Sequence, residues 1–111
     1  MSEQDTNEIQ YLEAKIKEAQ ENNQPIDQYV LREIKWLQVQ LDKYFEYMKQ
    51  QGRDLETDID VANIEIRQYA TMKSLAQKIN YSTEKYDSMI KAVQCRIMGE
   101  GNWDMFFGDD T

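Results

Sequence analysis

From Ile26 to Gln51 the chain runs for 26 residues without a glycine or a proline, and that stretch constrains the fold more than any other feature. Its apolar residues Val30, Ile34, Leu37, Leu41, Tyr44 and Met48 are spaced by 4, 3, 4, 3 and 4. Such alternation keeps one stripe of side chains on one face of an α-helix over several turns. Pro25 suits the first helical position, where its missing N–H would have no intrahelical partner. Gly52 suits the stop, because the residue past a last turn often needs positive φ. At about 1.5 Å per residue, a helix over 26–51 is roughly 39 Å long. One short helix does not cover a rod of that length, so the other segments are read by how they lie on it.

Three further segments carry the same signature. After a frayed start over residues 1–5, Asp5 followed by Glu8 resembles a capping box. Ile9, Leu12, Ile16 and Ala19 then form a helical stripe, which predicts a helix over about 6–22. The polar run before Pro25 is short, so this helix is expected to fold back antiparallel on the long one. Beyond Gly52, Thr57 or Asp54 is the candidate cap of a third helix over about 55–80. Its stripe is Leu55, Ile59, Ala62, Ile66, Tyr69, Met72, Ala76 and Ile79. Asn80-Tyr81-Ser82-Thr83 breaks the pattern, and Ser82 or Thr83 caps a fourth helix over 83–98 with Tyr86, Ile90, Val93 and Ile97 in line. No segment requires a strand. The expectation is an all-α, antiparallel helical bundle built on one long central helix, as a single domain over 1–98, with a tail over 99–111.

Several residues lie off these stripes. Trp36, Val39, Phe45 and Tyr47 do so on the long helix, and Val61 and Ile64 do so on the third. A helix of a small bundle needs one buried face, so the surplus marks these six residues as candidates for an interface between copies of the chain. Packing is also the favoured reading of the aromatic run Tyr44, Phe45 and Tyr47, ahead of a base-stacking platform.

Composition excludes more than it identifies. There is no histidine, and Cys95 is the only cysteine. An internal disulfide, a cysteine-based zinc site and the usual neutral-pH acid/base are therefore ruled out, and Cys95 reads as a half-buried small hydrophobe. The four glycines form no phosphate-binding pattern. Asp54, Glu56, Asp58 and Asp60 invite a metal reading, but acids at a helix start are favourable with its dipole, and that structural reading is preferred. The chain is expected not to be an enzyme, and to need no cofactor and no metal. Nothing in it resembles a targeting segment or a membrane span, so a reducing cytoplasm is the expected location.

Net charge is −8, yet it is unevenly spread. Residues 54–66 hold five acids and no base, whereas residues 67–96 hold six bases and two acids. Those bases, Arg67, Lys73, Lys78, Lys85, Lys91 and Arg96, are the candidate contacts to nucleic-acid phosphates. Helical geometry puts Arg67 with Lys78 and Lys85 with Arg96, but leaves Lys73 and Lys91 elsewhere, so a solvated surface is the favoured alternative. In the tail, Trp103, Met105, Phe106 and Phe107 sit among acids and glycines. Such a segment either tucks against the body or docks on a partner.

The whole layout resembles one branch of the small terminase subunits of tailed bacteriophages. The resemblance rests on a short helix, the turn Pro25-Ile26-Asp27, and a long Tyr- and Leu-rich helix ending at Gln51-Gly52. It continues through DVANIEIRQYATMKSLAQKI, Asn80-Tyr81-Ser82-Thr83 and the aromatic-acidic WDMFFGDD. Together these cover about residues 11–107. Val61-Ala62 stands near the Pro-Ala-Val of that family's pattern and Ile79-Asn80-Tyr81-Ser82 at its Leu-Gly-Leu-Thr-Pro-like turn, with the proline and the turn glycine absent here. The resemblance implies a non-catalytic subunit of a DNA-packaging motor in an infected bacterial host. It would form a ring, bind viral double-stranded DNA, and dock on a large ATPase-nuclease subunit through the tail. Two other readings stand beside it: a small acidic inhibitor or DNA mimic directed at a basic site, and a general helical assembly adaptor.

Overall fold

A computed structural model describes the backbone of residues 3–98 and the side chains of residues 6–97. Four helices follow one another: α1 (Glu3–Glu21), α2 (Asp27–Gln50), α3 (Ile59–Lys78) and α4 (Glu84–Met98). No strand occurs among the described residues, so the all-α expectation holds.

Three of the stripes read from the sequence are buried much as expected. Ile9, Leu12, Ile16 and Ala19 face inward on α1, as do Val30, Leu37, Leu41 and Met48 on α2 and Tyr86 and Val93 on α4. Leu12, Leu41 and Met72, each at most 2% exposed, contribute about 1.5–3 kcal/mol apiece by leaving water. On α3 the expected line is also buried at Ala62, Tyr69, Met72, Ala76 and Ile79, and Val61, Glu65 and Leu75 widen it. Ile59, placed on the stripe by spacing, is instead exposed.

The late start of α3, at Ile59 rather than Leu55, has a local cause. Residues 55–57 do not enter α3, because Asp54 builds a turn of its own. Its carboxylate accepts from the Glu56 N–H, and its carbonyl accepts from the N–H groups of Thr57 and Asp58. The helix therefore starts four residues later than its apolar spacing suggests, and Asp58 is the cap rather than Thr57 or Asp54. The Asp58 carboxylate accepts from the Val61 N–H at 3.1 Å, satisfying one of the four free donors of the first turn. Two other starts also shift. Pro25 lies outside α2, where Ile26 is the N-cap without a side-chain bond. Asp5 lies inside α1, which begins at Glu3.

The three helix ends described share one design. After α2, Gly52 has φ +77°, the Gly52 N–H bonds to the Lys49 carbonyl, and the Arg53 N–H bonds to the Met48 carbonyl. This is a Schellman motif, which answers carbonyls left free at a C-terminus. Asn23 (φ 57°) closes α1 and Asn80 (φ 60°) closes α3 with the same pair of bonds. Asparagine tolerates left-handed backbone better than other side chains do.

Cross-helix pairings fix the directions. Gln68 on α3 donates to the Leu37 carbonyl and to Gln40 Oε1 on α2, while Lys78 acts on Glu33 near the other end of the same seam. Lys73 pairs with Asp87 and Glu65 with Arg96 between α3 and α4. Rising numbers on one helix meet falling numbers on the next, so neighbours are antiparallel. Among the described residues, close backbone packing joins α1 to α2, α2 to α3 and α3 to α4, and no other pair of helices. The helices thus form an unclosed row, with α1 and α4 each leaning on a single neighbour.

Candidate functional site

The row presents three features on which function can rest: the basic side chains of α3 and α4, the apolar side chains left outside the core, and a mainly apolar cavity at Glu33.

Two of the six candidate phosphate contacts form ion pairs within the subunit, both partly exposed. Lys73 Nζ lies 2.6 Å from Asp87 Oδ1. Arg96 Nη2 lies 2.5 Å from Oε1 of Glu65, which is itself buried, while Tyr69 Oη donates to Glu65 Oε2 at 3.3 Å. This cluster ties α4 to α3. Burial is the main cause that pushes the Tyr69 hydroxyl up to about 12, and the Glu65 charge adds to it. Arg96 and Lys73 thus also serve as interhelical ties, with both side chains still partly exposed. Lys85 rests over the Tyr86 ring. Arg67, Lys78, Lys85 and Lys91 remain on the exposed surface.

The six interface candidates also divide. Val61 is fully buried, packed inside the subunit, and so belongs to the core rather than to an interface. Trp36, Phe45 and Ile64 are half-buried against the core, and Val39 is half-buried too. Tyr47 is 56% exposed, in company with Leu31, Ile59, Tyr11 and Tyr81 among the large apolar side chains that water reaches. Trp103, Met105, Phe106 and Phe107 lie outside the described residues.

The acidic run after Gly52 is a scaffold. Arg53 donates to Asp58 and reaches Asp60 at 3.3 Å, so a base does accompany these acids. The Arg53 guanidinium, followed by the Val61 N–H, holds the Asp58 carboxyl below its usual range. Among the described residues no three His, Cys, Asp or Glu side chains gather as a metal site. No helix among them is long and apolar enough to cross a membrane. Cys95 is free and half-buried.

Sequence reasoning passed over Glu33. It is 3% exposed, and its Oε1 has no hydrogen-bond partner. Burial is the chief cause that pushes its carboxyl up to about 7; the Glu13 charge on α1 adds to this and Lys78 on α3 opposes it. Beside it lies a half-open cavity of about 300 Å³ lined by α1, α2 and α3. A signal did exist: Glu33 falls between Val30 and Leu37 at spacings of 3 and 4. The other two buried polar residues, Glu65 and Gln94, sit in their helices' apolar lines at the same spacings.

None of the family models, curated proteins or solved structures compared with this chain matches it.

Proposed function

We propose that this protein is a non-catalytic assembly and DNA-recognition subunit of the small-terminase kind. In this reading it forms an oligomer, binds double-stranded viral DNA and docks on a large ATPase-nuclease subunit through residues 103–107. The observation that carries the reading is the unclosed row of helices. Among the described residues α1 and α4 do not pack on one another, and apolar side chains on the inner helices, notably Tyr47, Leu31 and Ile59, stay in reach of water. A second copy of the chain is the partner such a surface suits, since homo-oligomers with closed symmetry are the commonest soluble assemblies. Arg67, Lys78 and Lys91 then supply the phosphate contacts.

Molar mass by light scattering across a wide concentration range is the first test. An oligomer that Trp36→Ser with Tyr47→Ser weakens supports the proposal; a strict monomer at the highest concentration sinks it. Duplex DNA binding follows, and should fall steeply with salt if phosphates are contacted. A second reading draws on the net charge of −8, which the ion pairs Lys73–Asp87 and Arg96–Glu65 leave unchanged because each takes up one base and one acid. An acidic inhibitor or DNA mimic uses that surplus against a basic site. Failure to bind DNA even at low salt, with capture of a basic protein instead, selects it over the first reading.

A further inference from the structure

The Glu33 cavity is assembled from three helices that are far apart in the chain. α1 contributes Glu13 and Ile16, α2 contributes Glu33, and α3 contributes Thr71, Ser74, Leu75 and Lys78. Its volume of about 300 Å³ lies at the small end of ligand pockets. A carboxylate oxygen buried without a donor is unfavourable, and Glu33 Oε1 has none from the protein itself. Lys78 attracts Glu33 from the edge of the cavity yet leaves that oxygen unpartnered. The site therefore lacks a donor, preferably a charged one.

Three classes of guest can be weighed. An anion meets two carboxylates and only one lysine. Calcium or magnesium takes six or more oxygen ligands and zinc takes four, mostly Cys and His, and no third acid, Cys or His joins these two among the described residues. A primary ammonium group fits better, with three N–H donors and a single charge. Glu33 and Glu13 offer acceptors, as does the Ser74 hydroxyl. Thr71 gives its own proton to the Arg67 carbonyl at 2.9 Å, which leaves its lone pairs available. Ile16 and Leu75, both largely buried, form an apolar wall for an alkyl stem. The one rival cation is easily moved, because Lys78 is exposed and lysine carries its charge on a flexible four-carbon stem.

We propose that this cavity binds an alkylammonium group, its charged head at Glu33 and Glu13 and its stem along Ile16 and Leu75. The group is the same on a free aliphatic amine and on a lysine side chain of another protein. This binding does not depend on self-association or on DNA.

The test is an NMR titration of the methyl-labelled full chain with n-butylammonium chloride, against sodium chloride at equal ionic strength. Saturable shifts of the Ile16 and Leu75 methyls are expected. They should be stronger at about pH 8 than at about pH 5.5, because Glu33 carries its charge only above about 7, with Glu13 and Lys78 the other titrating groups that face it. Glu33→Gln keeps the side-chain shape and should weaken binding about ten-fold or more. Lys78→Met, on the exposed rim, should strengthen it. Nα-acetyl-lysine amide run in parallel identifies the source: tighter binding than butylammonium points to a lysine side chain, weaker binding to a free amine. Absence of a saturable shift overturns the proposal. So does equal binding by the Glu33→Gln protein, or equal binding of the butyltrimethylammonium ion, which has no N–H to donate.

Discussion

Replacing Glu33 by glutamine removes a titrating group from the interior while leaving the side chain almost unchanged in shape. In the folded protein the Glu33 carboxyl is raised from 4.5 to about 7, chiefly by burial. A raised acid binds its proton more tightly folded than unfolded, so stability is highest below about 4.5 and declines as pH rises towards 7. Above that, the loss is complete. At about 1.4 kcal/mol per pH unit the difference amounts to roughly 3 kcal/mol. Glu33→Gln has no such dependence. Relative to the parent protein it should gain about 3 kcal/mol between about pH 4.5 and pH 8, on top of any constant offset from the amide itself. The measurement is urea unfolding followed by helical circular dichroism at several pH values, at one fixed protein concentration so that association does not intrude. Other carboxylates, Asp58 among them, titrate in both proteins and cancel in the difference. A difference that stays flat within about 0.5 kcal/mol across this range would show that Glu33 is not desolvated as described.

Two other substitutions probe the same framework. Arg96→Ala leaves the buried Glu65 carboxylate without its cation; we expect a loss of about 2 kcal/mol in the same assay, below the range for fully buried pairs because the guanidinium is 31% exposed. Adding Glu65→Gln should recover part of it. Gly52→Ala meets open space but must hold φ near +77°, at a cost of about 1 kcal/mol, whereas Asn80→Gly should change stability by less than about 0.5 kcal/mol.

The helices were legible in the sequence because each carries an apolar line long enough to be read against its polar background. Ile9 to Ala19 and Val30 to Met48 needed no tertiary information. The start of α3 was not legible. Leu55 and Ile59 keep helical spacing, and only the hydrogen bonds of Asp54 and Asp58 reveal that the chain turns once more before the helix begins. Of the candidate functional residues, Lys73 and Arg96 have ion-pair partners that the sequence did not show, because a partner on another helix leaves no local trace. Glu65 lies 31 residues from Arg96. Val61 was misassigned for a different reason: the buried face of α3 is wider than a single stripe, and Val61 lies inside it beside Ala62. Glu33 was visible in principle, as a carboxylate occupying an apolar position, and treating every such position as a question would have found it.

An unclosed row of helices behaves more like a short solenoid than like a bundle sealed on all sides. Each outer helix is held across one seam, while α2 and α3 are each held across two. Stability in such an arrangement is close to a sum of nearest-neighbour interfaces, so the ends open more cheaply than the middle. Amide protons of α1 and α4 should exchange with solvent through partial openings that leave the α2–α3 pair intact. The surfaces uncovered in those openings would be the inner faces of α2 and α3, the same helices that carry the half-buried Trp36, Phe45 and Ile64. The molecule's breathing and its capacity to recruit a neighbour would then have a common origin in the missing contact between its first helix and its last.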